Sequence, residues 1–578
     1  MSQNLTQRIA ILGGGPAGLF MYKRLLESGN TNVEIQIFER KSYLGAGMPY
    51  SMEGANSEHI TNVSDNEIPV LFSSIEDWVK TAPEEILNSF GIDPLNFNEY
   101  KVLPRLFFGK YLSAQFELLR QQAEKIGIRT IINLNSQIID IIDDSVQGIV
   151  NVFIADNEMQ SFDRVIICTG HNWPKKHEGK VSGYYDSPYP PKKLALQLNH
   201  PVGIKGSSLT AIDAIRTMAR FNGEFKTDNN GKVDYVLNPD NPEFRLVMHS
   251  RNGLLPAIRF HLEDSHLGKE VLISRQEMKN NIRHNGGFIS LDYIFEKNFK
   301  QLFREKAPAF YAKVKDMALE EFVETMMGMR EEIEPFTLFR KEYVEAEQSI
   351  KREESIYWKE MLAILSYAMN YPAKYLSAED MQRLQKVLMP LISIVIAFVP
   401  QSSCKELFAL HDAGVLSIVA VGNESEVSPG ETGGAVYLYK DESGNDISIH
   451  FQTFVDCVGQ PHLSFQDFPF KGLVNAGAVS PAMLQFQSED AGRAELDKGN
   501  EMVIKDKNGK YQLIVPGITI NDNFQIIDSN GQTNERIYIM AVPYIGGFNP
   551  DYSGIDFCEA ASENIIKSLS GNEAPELV

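Results

Sequence analysis

Apolar and polar positions follow two rhythms along this chain, and each rhythm predicts a kind of element. Short apolar-rich runs at residues 8–12, 33–38, 165–168, 244–248 and 537–542 read as buried strands. Helical spacing follows at 19–27, recurs at 118–125 and 404–411, and returns in the last stretch through Leu569. Between about residues 290 and 400 charged and apolar side chains interleave at helical period, as in 318–330 and 342–367, which predicts a helical insertion. The most apolar run, 388–399, contains Pro390 and is shorter than the roughly 20 residues a bilayer-crossing helix needs, so it reads as core.

The first strand is followed by Gly13, Gly14, Gly15, Pro16, Ala17 and Gly18, and then by a helix. In this Gly-x-Gly-x-x-Gly order Gly13 permits a tight turn, Gly15 lets a pyrophosphate approach the backbone, and Gly18 lets helix and strand pack closely. The helix start offers unpaired N–H groups and partial positive charge to an anion. The second strand ends at Glu39, beside Arg40 and about 20 residues beyond Gly18, where a carboxylate can accept the ribose hydroxyls of an adenosine. Together these parts predict a dinucleotide site. A second small-residue turn, Gly45-Ala46-Gly47-Met48-Pro49-Tyr50, suits backbone laid against a flat ring system. The buried run 165–168 ends in Thr169-Gly170, the kind of turn that closes a flavin domain, and FAD is therefore favoured over NAD.

These residues, with His59-Ile60-Thr61-Asn62-Val63, Pro104-Arg105 and Gly109-Lys110-Tyr111-Leu112, resemble the bacterial FAD/NAD(P)-binding family of two-nucleotide flavoproteins. That family is distantly similar to the N-hydroxylating and Baeyer-Villiger monooxygenases. The resemblance implies an α/β fold with two Rossmann-like dinucleotide-binding domains and a mostly helical insertion. It places Asn62 near the flavin ring and Arg105 near the cofactor phosphates or ring edge, although a structural arginine fits Arg105 equally well.

A weak internal echo supports two related domains. The order of helix, glycine, strands and closing run at 118–170 returns at 404–459. The matching second glycine turn is 202–213, where Gly206 keeps the first position, Ser207 follows, Ser208 replaces the pyrophosphate-approach glycine and Ala211 the packing glycine. The serine hydroxyl can crowd a phosphate or hydrogen-bond it. Arg251, just past the 244–248 run, stands where a 2′-phosphate would be read, and no acid occupies that place, so NADPH is expected rather than NADH. The expected division is 1–198 for the first part of the FAD domain, 199–290 and 401–460 for the nicotinamide domain, 291–400 for the insertion, and 461–578 for the return to the FAD domain. In that return, Gly546, Gly547 and Gly554 precede a helix whose start can stabilise a reduced flavin. Met326, Met327 and Met329 read either as pocket lining or as ordinary core.

Bulk properties narrow the partners. The 578 residues carry a formal charge of -21, which disfavours nucleic acid and anionic membranes. The chain shows no export signal at its start, so a cytoplasmic location is expected. Cys168, Cys404, Cys457 and Cys558 form no CxxC pair, which argues against disulfide reductases and metal sites. The expected activity is an NADPH-using monooxygenase that hydroxylates a small molecule with O2 through a flavin C4a-hydroperoxide. A reductase without oxygen insertion, and a non-catalytic FAD-binding protein with a degraded nicotinamide site, stay open. No catalytic side chain is singled out.

Overall fold

The first strand, β1 (Gln7–Leu12), leads through the glycine turn into α1 (Pro16–Glu27) and back to β2 (Val33–Phe38), which pairs with β1 in parallel from Gln7↔Val33 to Leu12↔Phe38. This computed structural model describes residues 6–263, 273–460, 462–551 and 554–572. The long helix α2 (Arg105–Ile126) stops at Gly127, whose φ of 78° suits a residue without Cβ. After it come β3 (Arg129–Asn133) beside β2 and β4 (Arg164–Ile167) beside β1. The chain then builds a second sheet from β5 (Tyr184–Tyr185), β6 (Pro201–Lys205), β7 (Arg245–Ser250), β8 (Leu416–Ala420) and β9 (Thr453–Asp456), with α3 (Leu209–Asn222) following β6. It returns to the first sheet as β10 (Gln525–Ile527) and β11 (Thr533–Ile539).

Strand order is β10-β11-β4-β1-β2-β3 in the first sheet and β5-β9-β6-β7-β8 in the second. All pairs are parallel except β10 with β11. Each sheet receives a three-stranded antiparallel meander before its closing strand: Ile138–Asp144, Ile149–Ile154 and Glu158–Phe162 before β4, and Glu426–Pro429, Ala435–Lys440 and Asp446–Phe451 before β9. The echo in the sequence is thus a repeat of architecture, and the fold is the expected pair of Rossmann-like units. Parallel strands are covered on both faces, which is why Ile9, Ala10, Ile11 and Leu12 are all at most 1% exposed. Each large aliphatic side chain so buried contributes about 1.5–3 kcal/mol.

The last helix, α6 (Gly554–Leu569), docks on α1, where Lys23 donates to Val70 O at 2.7 Å and pairs with Glu559, as does Arg24. Two linkers connect the units, and they are stitched together. Gln460 Oε1 accepts from Asn172 N at 2.9 Å, its Nε2 donates to Asn172 O at 2.6 Å, and Trp173 Nε1 donates to Gly459 O at 3.1 Å.

The middle region is helical, as the interleaved pattern predicts, and includes α4 (Arg275–His284) and α5 (Tyr357–Ala368). Met326 and Met327 are core residues there, whereas Met329 is exposed. Its buried charges are matched: Glu342 accepts from Arg330 Nη1 at 2.5 Å and from Lys359 Nζ at 3.2 Å. Burial opposes ionisation of Glu342, but Lys359 and Arg330 outweigh it and hold the carboxyl below its ordinary value of 4.5. Glu342→Ala is expected to leave two cations buried together and to cost about 3–5 kcal/mol, seen as a lowered thermal midpoint. Because the folded pKa is depressed, the wild-type advantage over this variant is full above about pH 4.5 and shrinks as pH falls below it.

Candidate dinucleotide site

The glycine turn after β1 is held by close backbone approach. A Cβ on Gly13, whose φ is +117°, would lie 2.5 Å from Cys168 O, and one on Gly18 would lie 2.0 Å from Gly13 O. No side chain caps the start of α1, and Pro16 at the first helical position has no N–H to offer. The amides of Ala17 and Gly18 therefore face the turn as donors. Glu39 braces the turn from the end of β2: Oε2 accepts from Gly14 N at 2.8 Å and Oε1 from Lys41 N at 2.9 Å. Each oxygen keeps a second lone pair for a ribose hydroxyl.

A cavity of about 450 Å³ opens at the carboxyl ends of β1, β2, β4 and β11, where ligands bind in open α/β sheets. Gly13, Gly15, Pro16, Ala17, Glu39, Arg40, Gly47, Met48, Thr169, Gly170 and Gly554 line it. Gly18 sits in the first turn of α1 and packs the helix against the loop. The Thr169 hydroxyl is buried without a protein partner, an orphan that a bound polar group would satisfy. The donor set is uncapped amides, glycine backbone, one carboxylate at the strand end and this hydroxyl, and it fits a flavin dinucleotide.

Three predicted residues fall elsewhere. Asn62 is absent from the cavity wall, and its carbonyl accepts from Arg259 Nη1 at 2.6 Å. Arg105 also lies outside the wall and joins the two units instead: Nη1 donates to Asp213 Oδ2 of α3 at 2.5 Å and Nε to Ile60 O at 3.1 Å. A buried carboxylate claims this guanidinium, the structural alternative its sequence context allowed. Beside it, buried His59 Nε2 lies 3.1 Å from Thr217 Oγ1, and burial keeps that ring below its ordinary pKa. Gly546 makes room for the returning linker, since a Cβ there would lie 1.9 Å from His462 Nδ1. Tyr552 and Ser553 of the predicted loop lie outside the described residues.

Other lining residues come together only in the fold. Cys168 and Cys558 both reach the cavity although they are 390 positions apart, and burial raises both thiols, Cys558 to about 12. Tyr544, Phe470 and the 136–138 stretch arrive from distant parts of the chain. His171 also lines the cavity, and burial lowers its pKa.

The second unit reproduces the turn. The α3 cap, Ser208, has φ -88° and ψ -166°, against -78° and -165° at Gly15, and its side chain forms no capping bond. A Cβ on Gly206, with φ +105°, would lie 2.8 Å from Cys457 O, the counterpart of Gly13 against Cys168. Ser207 Oγ donates to Leu254 O at 2.8 Å and anchors the loop. At the end of β7 the Ser250 hydroxyl is buried without a partner and Arg251 is exposed.

Residues 10–172 match the FAD-NAD(P)-binding family model, and residues 274–396 match the YdhS-like middle domain. The chain is 26% identical over 472 residues to the uncharacterized protein YdhS of Escherichia coli (strain K12), covering 81% of this chain and 86% of that protein. Among solved structures it is similar to the ornithine N-hydroxylase of Kutzneria sp. 744 with FAD, NADP+ and L-ornithine, at 11% identity, 98% and 100% coverage of the two chains, and TM-score 0.44. It is also similar to the thioredoxin reductase of Lactococcus lactis, at 11% identity, 98% coverage of each chain and TM-score 0.36. The chain thus carries an FAD/NAD(P)-binding domain, and its cofactors are FAD and a nicotinamide dinucleotide. Among the described residues no helix is long and apolar enough to cross a membrane.

Gly18→Ala is expected to push the α1 start off the turn, so that the purified variant lacks the yellow flavin absorbance of the parent. Asp213→Ala is expected to strand the Arg105 charge and lower stability by about 3–5 kcal/mol while bound FAD is kept, a separation that absorbance and thermal unfolding together reveal.

Proposed function

We propose that the chain is an FAD-dependent oxidoreductase that draws electrons from NADPH and, with O2, oxygenates a small organic molecule. The observation that carries this reading is the duplicated turn: two uncapped helix starts with the same cap geometry, each opposite a Cys-x-Gly backbone, on sheets joined by stitched linkers. When bound, the flavin supplies hydride acceptance from nicotinamide and onward electron transfer.

The residues of this chain do the holding and shielding. Gly13, Gly15, Ala17 and Gly18 would bind the FAD diphosphate by backbone, Glu39 and Arg40 the adenosine end, and Gly47, Met48, Thr169, Gly170 and Gly554 the rest of the molecule. Gly206 and Ser208 would receive the NADPH diphosphate, with Ser207 fixing their loop. Ser208 fits because its backbone takes an ordinary extended conformation and its hydroxyl makes no cap bond. Arg251 would pair with the 2′-phosphate.

Oxygenation is favoured over thiol reduction by the state of the cysteines. All four are free and buried, and burial raises each thiol, so none offers the thiolate that disulfide exchange needs.

Anaerobic addition of NADPH to the purified yellow protein is expected to bleach the flavin absorbance, and persistence of the colour at millimolar NADPH would sink the reading. Re-admitting air should then consume O2 as the colour returns. Arg251→Ala is expected to raise the NADPH concentration for half-maximal reduction by about ten- to a hundredfold and to leave the NADH value unchanged, measured by stopped-flow reduction.

A further inference from the structure

Where α6 turns away from the dinucleotide cavity it meets the middle region, and a second cavity of about 290 Å³ lies there. Its walls include α4, the end of α5 and the segment after it, the 520–524 stretch before β10, and the face of α6 that carries Ala560 and Asn564. Phe557 belongs to the walls of both cavities and is 3% exposed. Its ring meets that of Phe524 edge to face, with centroids 5.7 Å apart and planes at 78°. Phe524 takes φ +62°, a left-handed conformation that a bulky residue rarely adopts. The buried side chain of Asn521 braces that turn, its Oδ1 accepting from Asn523 N and Gln525 N, both at 2.9 Å. Backbone strain that the surroundings hold in place collects where a protein binds a ligand or reacts with it.

The ionisable groups of the wall are spent on one another. Asp522, with its side chain 1% exposed, accepts from Lys374 Nζ at 2.8 Å, Tyr375 Oη at 2.8 Å, Arg275 Nη2 at 3.1 Å and Tyr371 Oη at 2.5 Å. Four donors fill the lone pairs of both oxygens. Arg275 and Lys374 also lie over the Tyr371 ring, 5.1 and 5.2 Å from its centroid. Burial, and then Asp556, Asp551 and Glu563 nearby, raise the pKa of the Tyr367 phenol, which stays protonated. A cation entering here would meet two cations and a saturated carboxylate, and an anion would meet these acids, so neither finds an unpaired counter-charge to offset the loss of its water. Two polar groups are not spent. The hydroxyl of Tyr367, on α5, and the amide of Asn564, on α6, form no hydrogen bond among the described residues, and both residues are partly exposed and line the cavity. Each offers a donor and an acceptor. Much of the remaining surface is apolar, including Met278, Phe524 and Phe548.

We propose that this cavity binds the molecule on which the flavin acts, and that the molecule is an uncharged ring compound carrying one hydroxyl or carboxamide group. The inference rests on the flavin reading above. The ring packs against Phe524, Phe548 and Phe557, and its polar group meets Tyr367 and Asn564, which both give and accept hydrogen bonds. Having no charge, the compound enters without the cost of burying one. A body of about ten heavy atoms suits the size, at the small end of ligand cavities. Phe557, common to both walls, sets the compound against the dinucleotide cavity.

The test is calorimetric titration of the FAD-loaded protein, near neutral pH, with benzamide and benzyl alcohol against benzoate and benzylamine. The two uncharged compounds are expected to bind at least about tenfold more tightly than either ion. Tyr367→Phe and Asn564→Leu remove the polar atoms with little change of shape. Each is expected to weaken benzamide about tenfold and to leave toluene, which has the ring alone, unchanged, with FAD content kept. Saturation with benzamide is also expected to shift the flavin absorbance, because Phe557 serves both walls. Absence of benzamide and benzyl alcohol binding at millimolar concentration, equal binding of either ion, variants that both bind benzamide like the parent, or saturation without a change in flavin absorbance overturns the inference. NADPH reduction, followed separately on the same protein, keeps the two readings apart. A protein that is reduced but binds no uncharged ring compound defeats this inference alone, and one that binds such compounds but is not reduced defeats the functional reading.

Discussion

The helix starts at Pro16 and Leu209 have no side-chain cap, and each follows a glycine turn pressed against a neighbouring backbone carbonyl. An uncapped start leaves backbone donors without partners, a cost that a folded protein accepts where a ligand will meet them. The turn before each start is pressed against a neighbouring carbonyl, of Cys168 in one unit and Cys457 in the other, so closely that only glycine fits. That pressure fixes where the amides point. The sheets, the meanders and the stitched linkers hold the two sets of donors in a set relation, and the chemistry proposed above depends on it.

Much of this architecture is legible in the sequence because it rests on local rules. A buried run, a glycine turn and a helix announce themselves within thirty residues, and Glu39 follows at the spacing that a strand, a turn and a helix dictate. The helical middle region shows in its period. Arg105, Asn62 and Gly546 were less legible for a common reason: each is engaged by a group far away in the chain. Arg105 meets Asp213 across the unit boundary, Asn62 meets Arg259, and Gly546 yields space to His462. Cys168 and Cys558 converge on one cavity only after β11 returns to the first sheet, and no spacing records that.

The middle region completes a wall as well as adding mass. Its α4 and the segment after α5 bring Arg275, Asn370 and Lys374 to the 520–524 stretch, so a buried aspartate of one part of the chain is neutralised by cations of another. A charge network of this kind fixes relative position, since neither partner tolerates loss of the other in a low-dielectric setting.

The serine at the second cap has a consequence for how such domains are counted. Its backbone angles differ from those of Gly15 by about ten degrees or less, so the letter has changed while the shape has stayed. A pattern demanding three glycines finds one nucleotide fold in this chain; a pattern demanding one glycine opposite a Cys-x-Gly carbonyl, ahead of an uncapped helix, finds two. Surveys built on the first rule undercount the paired architecture wherever a small polar residue has taken the middle place.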